Sequence, residues 1–312
     1  MNKNLHIYII IAVALAAGLL SFFVIQGVAG SQNLRFPNLT GDSNHYLILA
    51  EHLMEKRAFD TYPGKTSPEI FRTPGYPLFL VLLLGVLGSW KAVVLVQALL
   101  MAGVPLLTYF LGKRIFSENI AFAASMVTAF DPTRLFFSTL TLADGLFTLL
   151  LLLSIFLLFG ALDSPGADRK KLFFSGLFLG YAVLVRPIGQ FLPLLYLGYL
   201  FLKLPQRKLL LKAGIVFLIP LVIVIGSWML RNKIIMGTWQ LSTVRDYNLA
   251  YFSILFLKEK EGASPELLIE ELVKKVGGQD SLALATPEAQ PVNREFARSV
   301  ISSHPFSYLK FH

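Results

Sequence analysis

The side chains best placed to do chemistry in this chain are Asp42, Arg72, Tyr76, Asp144, Arg186 and Arg231. A carboxylate can act as general base toward a hydroxyl, and the planar fork of an arginine suits a phosphate. Together they fit an anionic lipid headgroup and base-assisted attack beside it. Each also has a plainer role. Asp42, in Thr40-Gly41-Asp42-Ser43-Asn44-His45-Tyr46, is placed to cap a helix, as is Ser43; composition alone favours the cap, and the two roles are compatible. Arg72, in Phe71-Arg72-Thr73-Pro74-Gly75-Tyr76-Pro77, can clamp a phosphate or snorkel to a membrane interface. Asp131 and Arg134 are spaced to pair with each other. Asp144 has no basic neighbour close in sequence and opens a helix, so it is a cap or a functional carboxylate.

Other chemistries are disfavoured. The chain has no cysteine, hence no disulfide, thiolate metal site or thiol nucleophile. It shows no Ser-His-Asp order, Walker loop or zinc spacing, and His45 and His52 are weak evidence for a metal.

These residues are set among long apolar runs. Of 312 residues 55% are hydrophobic and only 15% charged, and the apolar residues come in blocks rather than amphipathic stripes, the pattern of a membrane protein. The runs are Leu5–Ile25, Ala92–Gly112, Ile120 to about Thr139, Gly145–Leu162, Leu172–Leu204 and Ala213–Leu230. Leu5–Ile25 is too long for a signal-peptide core and reads as an uncleaved anchor. Leu172–Leu204 is too long for one span, and Arg186-Pro187-Ile188-Gly189-Gln190 divides it into two short helices. Gly75–Gly88 would cover only roughly 21 Å of a ~30 Å hydrocarbon core.

Charge then decides the topology. The net +9 arises in the breaks between runs, so it orients the chain in the membrane and does not imply nucleic acid. With Gly75–Gly88 lying in or dipping into the interface, there are seven spans. Lys3, Lys113-Arg114, Arg169-Lys170-Lys171, and Lys203 with Arg207, Lys208 and Lys212 then share the cytoplasmic side. The charge-balanced loop 26–91 and the tail after Arg231 lie outside. Eight spans would instead put Asp42 and Asp144 on opposite faces. The expectation is therefore an all-α polytopic bundle: a transmembrane catalytic-type domain over 1–231, with an interfacial helix from about 41 to 57, and an extracytoplasmic helical segment over 232–312. Within that tail, helices are expected at Pro265–Val276 and about Val292–Ser303.

In order and spacing, several short motifs resemble the GT-C superfamily of polyprenyl-phosphate-sugar glycosyltransferases, especially bacterial relatives of protein mannosyltransferases and the aminoarabinose transferase. They are Gly41-Asp42 with Tyr46 and Ala50, then Arg72-Thr73-Pro74-Gly75-Tyr76-Pro77. Pro132, Leu142-Ala143-Asp144-Gly145-Leu146-Phe147, Leu184-Val185-Arg186-Pro187 and Trp228-Met229-Leu230-Arg231-Asn232 follow. The resemblance implies inverting transfer from a polyprenyl-phosphate sugar to a glycan, lipid or protein acceptor, on the outer face of the cytoplasmic membrane. Asp42 matches the general base, Asp144 a second acidic position, and Arg72 and Arg186 the phosphate-binding arginines. Some relatives hold a divalent metal, but Arg72 stands where the aminoarabinose transferase has an acidic ligand, so no cofactor is expected. Relatives continue into further spans where this chain ends, which reads as a fragment or a reduced member. A lipid-sugar flippase and a non-catalytic scaffold remain as alternatives; an enzyme loses turnover on loss of Asp42, and a scaffold does not.

Overall fold

The computed structural model describes residues 3–31, 41–60 and 69–311, and among them every regular element is a helix. The chain divides into two compact units, one within Met1–Thr66 and Pro74–Ser227, the other within Ser67–Thr73 and Trp228–His312.

The first unit holds α1 (Lys3–Ser31), α2 (Gly41–Glu55), α3 (Gly75–Leu87), α4 (Trp90–Leu100), α5 (Gly103–Gly112), α6 (Glu118–Phe130) and α7 (Pro132–Ser138). It continues with α8 (Ala143–Ala161), α9 (Arg169–Val185), α10 (Leu192–Lys203) and α11 (Arg207–Met236), and the division between the units falls inside α11. Apolar sequence becomes helix because backbone groups in hydrocarbon must find partners within the chain. Leu5–Ala29, Trp90–Gly112, Ala143–Ala161 and Arg207–Met236 are long and apolar enough to cross a membrane. Leu82, Val86, Leu195, Leu202 and Ile223 stay largely exposed, as lipid-facing side chains do.

The other expected crossings are shorter, and each is broken at a proline. The run from Ile120 divides where Pro132 supplies no backbone donor; the Asp131 carboxylate accepts from the amides of Thr133 (2.9 Å) and Arg134 (3.3 Å) and starts α7. Asp131 and Arg134 therefore take main-chain partners rather than each other. The Arg134 guanidinium donates to the carbonyls of Thr128 (2.8 Å), Ala129 (2.8 Å) and Met101 (3.2 Å), closing the C-terminal ends of α6 and α4. The interruption at Pro187 appears as a 3-10 turn over Pro187–Phe191 between α9 and α10. A turn at Met101-Ala102, unforeseen from the sequence, separates α4 from α5.

α8 and α9 run antiparallel. Pairing proceeds from Asp144 with Arg186, through Ser154 with Ser175, to the Asp168 amide on the Ala161 carbonyl. At the midpoint each serine hydroxyl donates to the other's carbonyl, at 2.8 and 2.9 Å. On its other side α9 meets α11 so closely that a Cβ at Gly176 would sit 1.9 Å from the Phe217 oxygen.

α2 corrects one expectation. It starts at Gly41, so Asp42 and Ser43 lie within its first turn rather than at the cap. It packs on α3, burying Tyr46, Leu47, Leu49 and Ala50 while leaving Met54 exposed, so it buries more than the single stripe of a helix resting on a membrane.

The second unit includes α12 (Val244–Glu261), α13 (Pro265–Val276), α14 (Gln290–Ser303) and α15 (Pro305–Phe311). Ile254, Leu272, Val273 and Leu284 form one of its cores, and Phe256, Val300 and Tyr308 another. Asp246 is buried and held by Arg245 (2.8 Å) and Arg294 (2.6 Å).

Candidate active site

In the first unit, α8 presents its N-terminal turn, the positive end of its dipole, with Asp144 as its second residue. α9 ends at Val185 because a residue before proline avoids the helical conformation; Arg186 is extended at φ −141° and ψ 116°. The Arg186 guanidinium pairs with the Asp144 carboxylate through Nη1, and both side chains are about half exposed. The sequence separates these partners by 42 positions, so no local signal could join them.

Close main-chain approach fixes the end of α9. A Cβ at Gly75 would lie 2.5 Å from the carbonyl carbon of Leu184, so only glycine lets α3 start there. The Tyr181 hydroxyl donates to the Gly75 carbonyl at 2.8 Å and ties the same two elements.

Tyr76 lies wholly in the core, its ring edge-on to Tyr46 at 4.8 Å. Its hydroxyl donates to Gln97 Oε1 at 2.6 Å. It supports the surrounding helices from beneath and presents no face to solvent. Tyr46, Tyr76, Ala143 and Val185 belong to one buried cluster with Ala50, Leu80, Val93 and Ala182. Ala143 and Val185 are the neighbours of Asp144 and Arg186, and Tyr46 is one helical turn from Asp42. The exposed Asp42 is thereby carried on a helix packed into the same cluster.

The basic breaks collect at the opposite end of this unit. Arg114 forms a two-bond pair with Asp163, both at 2.8 Å, and Asp163 sits past the end of α8 remote from Asp144. Tyr109 donates to Glu118 at 2.6 Å, and His6 approaches the same carboxylate at 3.5 Å. Leu204, beside Lys203, packs in a core with Ala161 and Ala167.

Asp144 is committed to Arg186, and His52 Nδ1 to Asp60 at 2.6 Å, with Lys56 on its other nitrogen at 3.1 Å. Among the described residues no three His, Cys, Asp or Glu gather.

Arg72 and Arg231 belong to the second unit. Arg231 donates to the Glu69 carbonyl (2.9 Å) and to Asn232 Oδ1 (3.0 Å), and lies 4.6 Å over the Trp228 ring. Trp228 Nε1 donates to the Leu241 carbonyl at 2.9 Å, and Ser242 Oγ to the Phe71 carbonyl at 2.6 Å. The Trp228–Asn232 motif thus holds the segment bearing Arg72, whose guanidinium lies 4.9 Å from the Phe71 ring and whose amide donates to Glu69 Oε1.

Gln97 was missed in the sequence because only ionisable groups were weighed. Its signal was a lone amide in the apolar stretch Val93–Leu100.

A family model described as dolichyl-phosphate-mannose-protein mannosyltransferase matches residues 72–229, just over half of the chain. No curated protein and no solved structure matches.

Proposed function

The chain belongs to the dolichyl-phosphate-mannose-protein mannosyltransferase family, a GT-C family, and from that premise we propose that it transfers a sugar, with inversion, from a polyprenyl-phosphate carrier to an acceptor hydroxyl at the extracytoplasmic face of the cytoplasmic membrane. It is an integral membrane glycosyltransferase of the lipid-linked-sugar type. The acceptor oxygen attacks the anomeric carbon as the bond to the lipid phosphate breaks. The acceptor proton passes to Asp42, and the polyprenyl phosphate departs with the bonding electrons. Arg186 has further N–H donors besides the Nη1 that meets Asp144, and these receive the charge that grows on the phosphate. Asp144 orients Arg186, and Tyr76 supports the same end of the bundle from within.

The observation that carries this proposal is the buried cluster uniting Tyr46, Ala143 and Val185, the near neighbours of Asp42, Asp144 and Arg186. The placement of the basic breaks at the other end of the unit favours an outer location, since such residues are retained in the cytoplasm.

The test is turnover of polyprenyl-phosphate mannose by the full chain in lipid nanodiscs, with membrane extract as acceptor source. Asp42→Asn should lower it by about 10²-fold to 10⁴-fold, the usual contribution of a positioned base, while the protein still purifies as one species. Wild-type turnover in that variant would defeat the mechanism. A cysteine at the exposed Asn44 should react with an impermeant maleimide from outside intact cells, and one at Ile115 should not.

A further inference from the structure

Gln97 is 1% exposed in the middle of an apolar helix, where an unsatisfied amide would be strongly unfavourable. Its hydrogen bonds explain its presence. The Oε1 accepts from the Tyr76 hydroxyl at 2.6 Å, and the Nε2 donates to the carbonyls of Leu140 at 2.7 Å and Ser138 at 3.0 Å. Ser138 is the last residue of α7, and residues 139–142 form the non-helical connector to α8. Thr139, Leu140 and Thr141 are each fully buried. One side chain from another helix thus donates to two main-chain carbonyls, that of Ser138 and that of Leu140, which it shares with the Leu142 amide at 2.9 Å. Two residues after Leu142 comes Asp144.

We infer that Gln97 is a positioning residue: its amide joins Tyr76 of the Arg72–Pro77 motif to the connector and so sets where the Asp144–Arg186 pair stands. Tyr76 orients the Gln97 carbonyl, which leaves both amide hydrogens directed at the connector. Without that brace, Ser138 and Leu140 lose a polar partner, and the connector exchanges its buried arrangement for one in which water reaches it. The importance of this for turnover rests on the transfer reaction proposed above; the brace itself does not.

The experiment introduces a single cysteine at Thr141 in the otherwise cysteine-free full chain, in nanodiscs, and follows its reaction with N-ethylmaleimide. Gln97→Leu should raise the labelling rate roughly 10-fold to 100-fold, the equilibrium effect of stranding a buried polar group, and Tyr76→Phe should raise it less. A cysteine at Ser125, equally buried on α6, should stay protected, which separates local release from general loosening. Turnover of polyprenyl-phosphate mannose should fall in the same order, with the loss in kcat rather than in KM for the donor. Labelling of the Thr141 cysteine within about twofold of the parent in both backgrounds would overturn the inference. So would equal gains at Thr141 and Ser125. If Gln97→Leu fails to fold, Tyr76→Phe alone decides by the same criterion. Full turnover in Asp42→Asn would defeat the transfer mechanism while leaving the labelling result to judge the brace.

Discussion

Replacing Gly75 by alanine adds one methyl group where the chain has no room for it. The new Cβ would lie 2.5 Å from the Leu184 carbonyl carbon and 2.6 Å from both the Leu184 oxygen and the Val185 nitrogen, whereas ordinary contact begins at 3.4 Å. All three obstacles are main chain, so no rotamer change relieves them; α3 and the end of α9 must separate by about 1 Å, and overpacking of this kind costs about 1–3 kcal/mol. The same displacement moves Arg186, the next residue after Val185. A misplacement of about 1 Å at a reacting centre lowers turnover on the order of 100-fold. The assay pairs thermal unfolding in detergent with turnover of polyprenyl-phosphate mannose. Gly85→Ala serves as control, because nothing lies within 4 Å of its Cβ position. If Gly75→Ala matches Gly85→Ala in both measurements, the close approach does not position Arg186, and the reasoning is refuted.

Three further outcomes follow from the packing. Ser154→Ala and Ser175→Ala should each destabilise by about 1 kcal/mol in unfolding, since each removes one hydroxyl donor from a main-chain carbonyl that stays in place, and unchanged stability in both would mean the reciprocal bonds contribute nothing. Arg134→Met should destabilise by about 3 kcal/mol because it takes a charged donor from three carbonyls, of which Met101 retains the Val104 amide, and Arg134→Lys should recover only part of this, since an ammonium lacks the planar fork. Burial works to raise the pKa of Asp246, but the hydrogen bonds from Arg245 and Arg294 outweigh it and hold the carboxyl below its ordinary value. Its stabilising contribution is then complete above the unfolded pKa of about 3.9 and is lost as pH falls through the lower folded value. Asp246→Asn should abolish that acid step in proteolysis of the tail and cost about 3 kcal/mol at neutral pH by leaving two arginines beside a neutral partner.

The helical membrane architecture was legible because apolar runs and prolines act locally. Pro187 stops a helix where the sequence places an interruption, whereas the run from Ile120 reads as unbroken and the structure divides it at Pro132. The Pro265–Val276 helix carried equally local signals, a serine before it and a glycine after. What depended on distant partners was not legible. Asp131 and Arg134 look like a pair at their spacing, yet three carbonyls, one of them on Met101, claim the arginine. Tyr76 was expected to face a substrate, and only the fold reveals that Gln97 takes its hydroxyl inside the core. Likewise Gly75 in the motif is ambiguous until the main chain of Leu184 comes against it.

The serine clasp between α8 and α9 gives the pair at their ends a fixed lever length. Ser154 follows Asp144 by ten residues, and Ser175 precedes Arg186 by eleven. At ~1.5 Å per residue the two arms measure roughly 15 and 16 Å, so they reach the same level and the charges meet. One residue inserted into either arm would advance its tip by ~1.5 Å and swing it by about 100° around the helix, breaking the match. An insertion in the loop 162–168 lies beyond the clasp and leaves both arms unchanged. Length variation in this hairpin should therefore be accepted on the side of Asp163 and rejected on the side of Asp144, which makes the clasp a gauge of where the chain tolerates insertions and deletions.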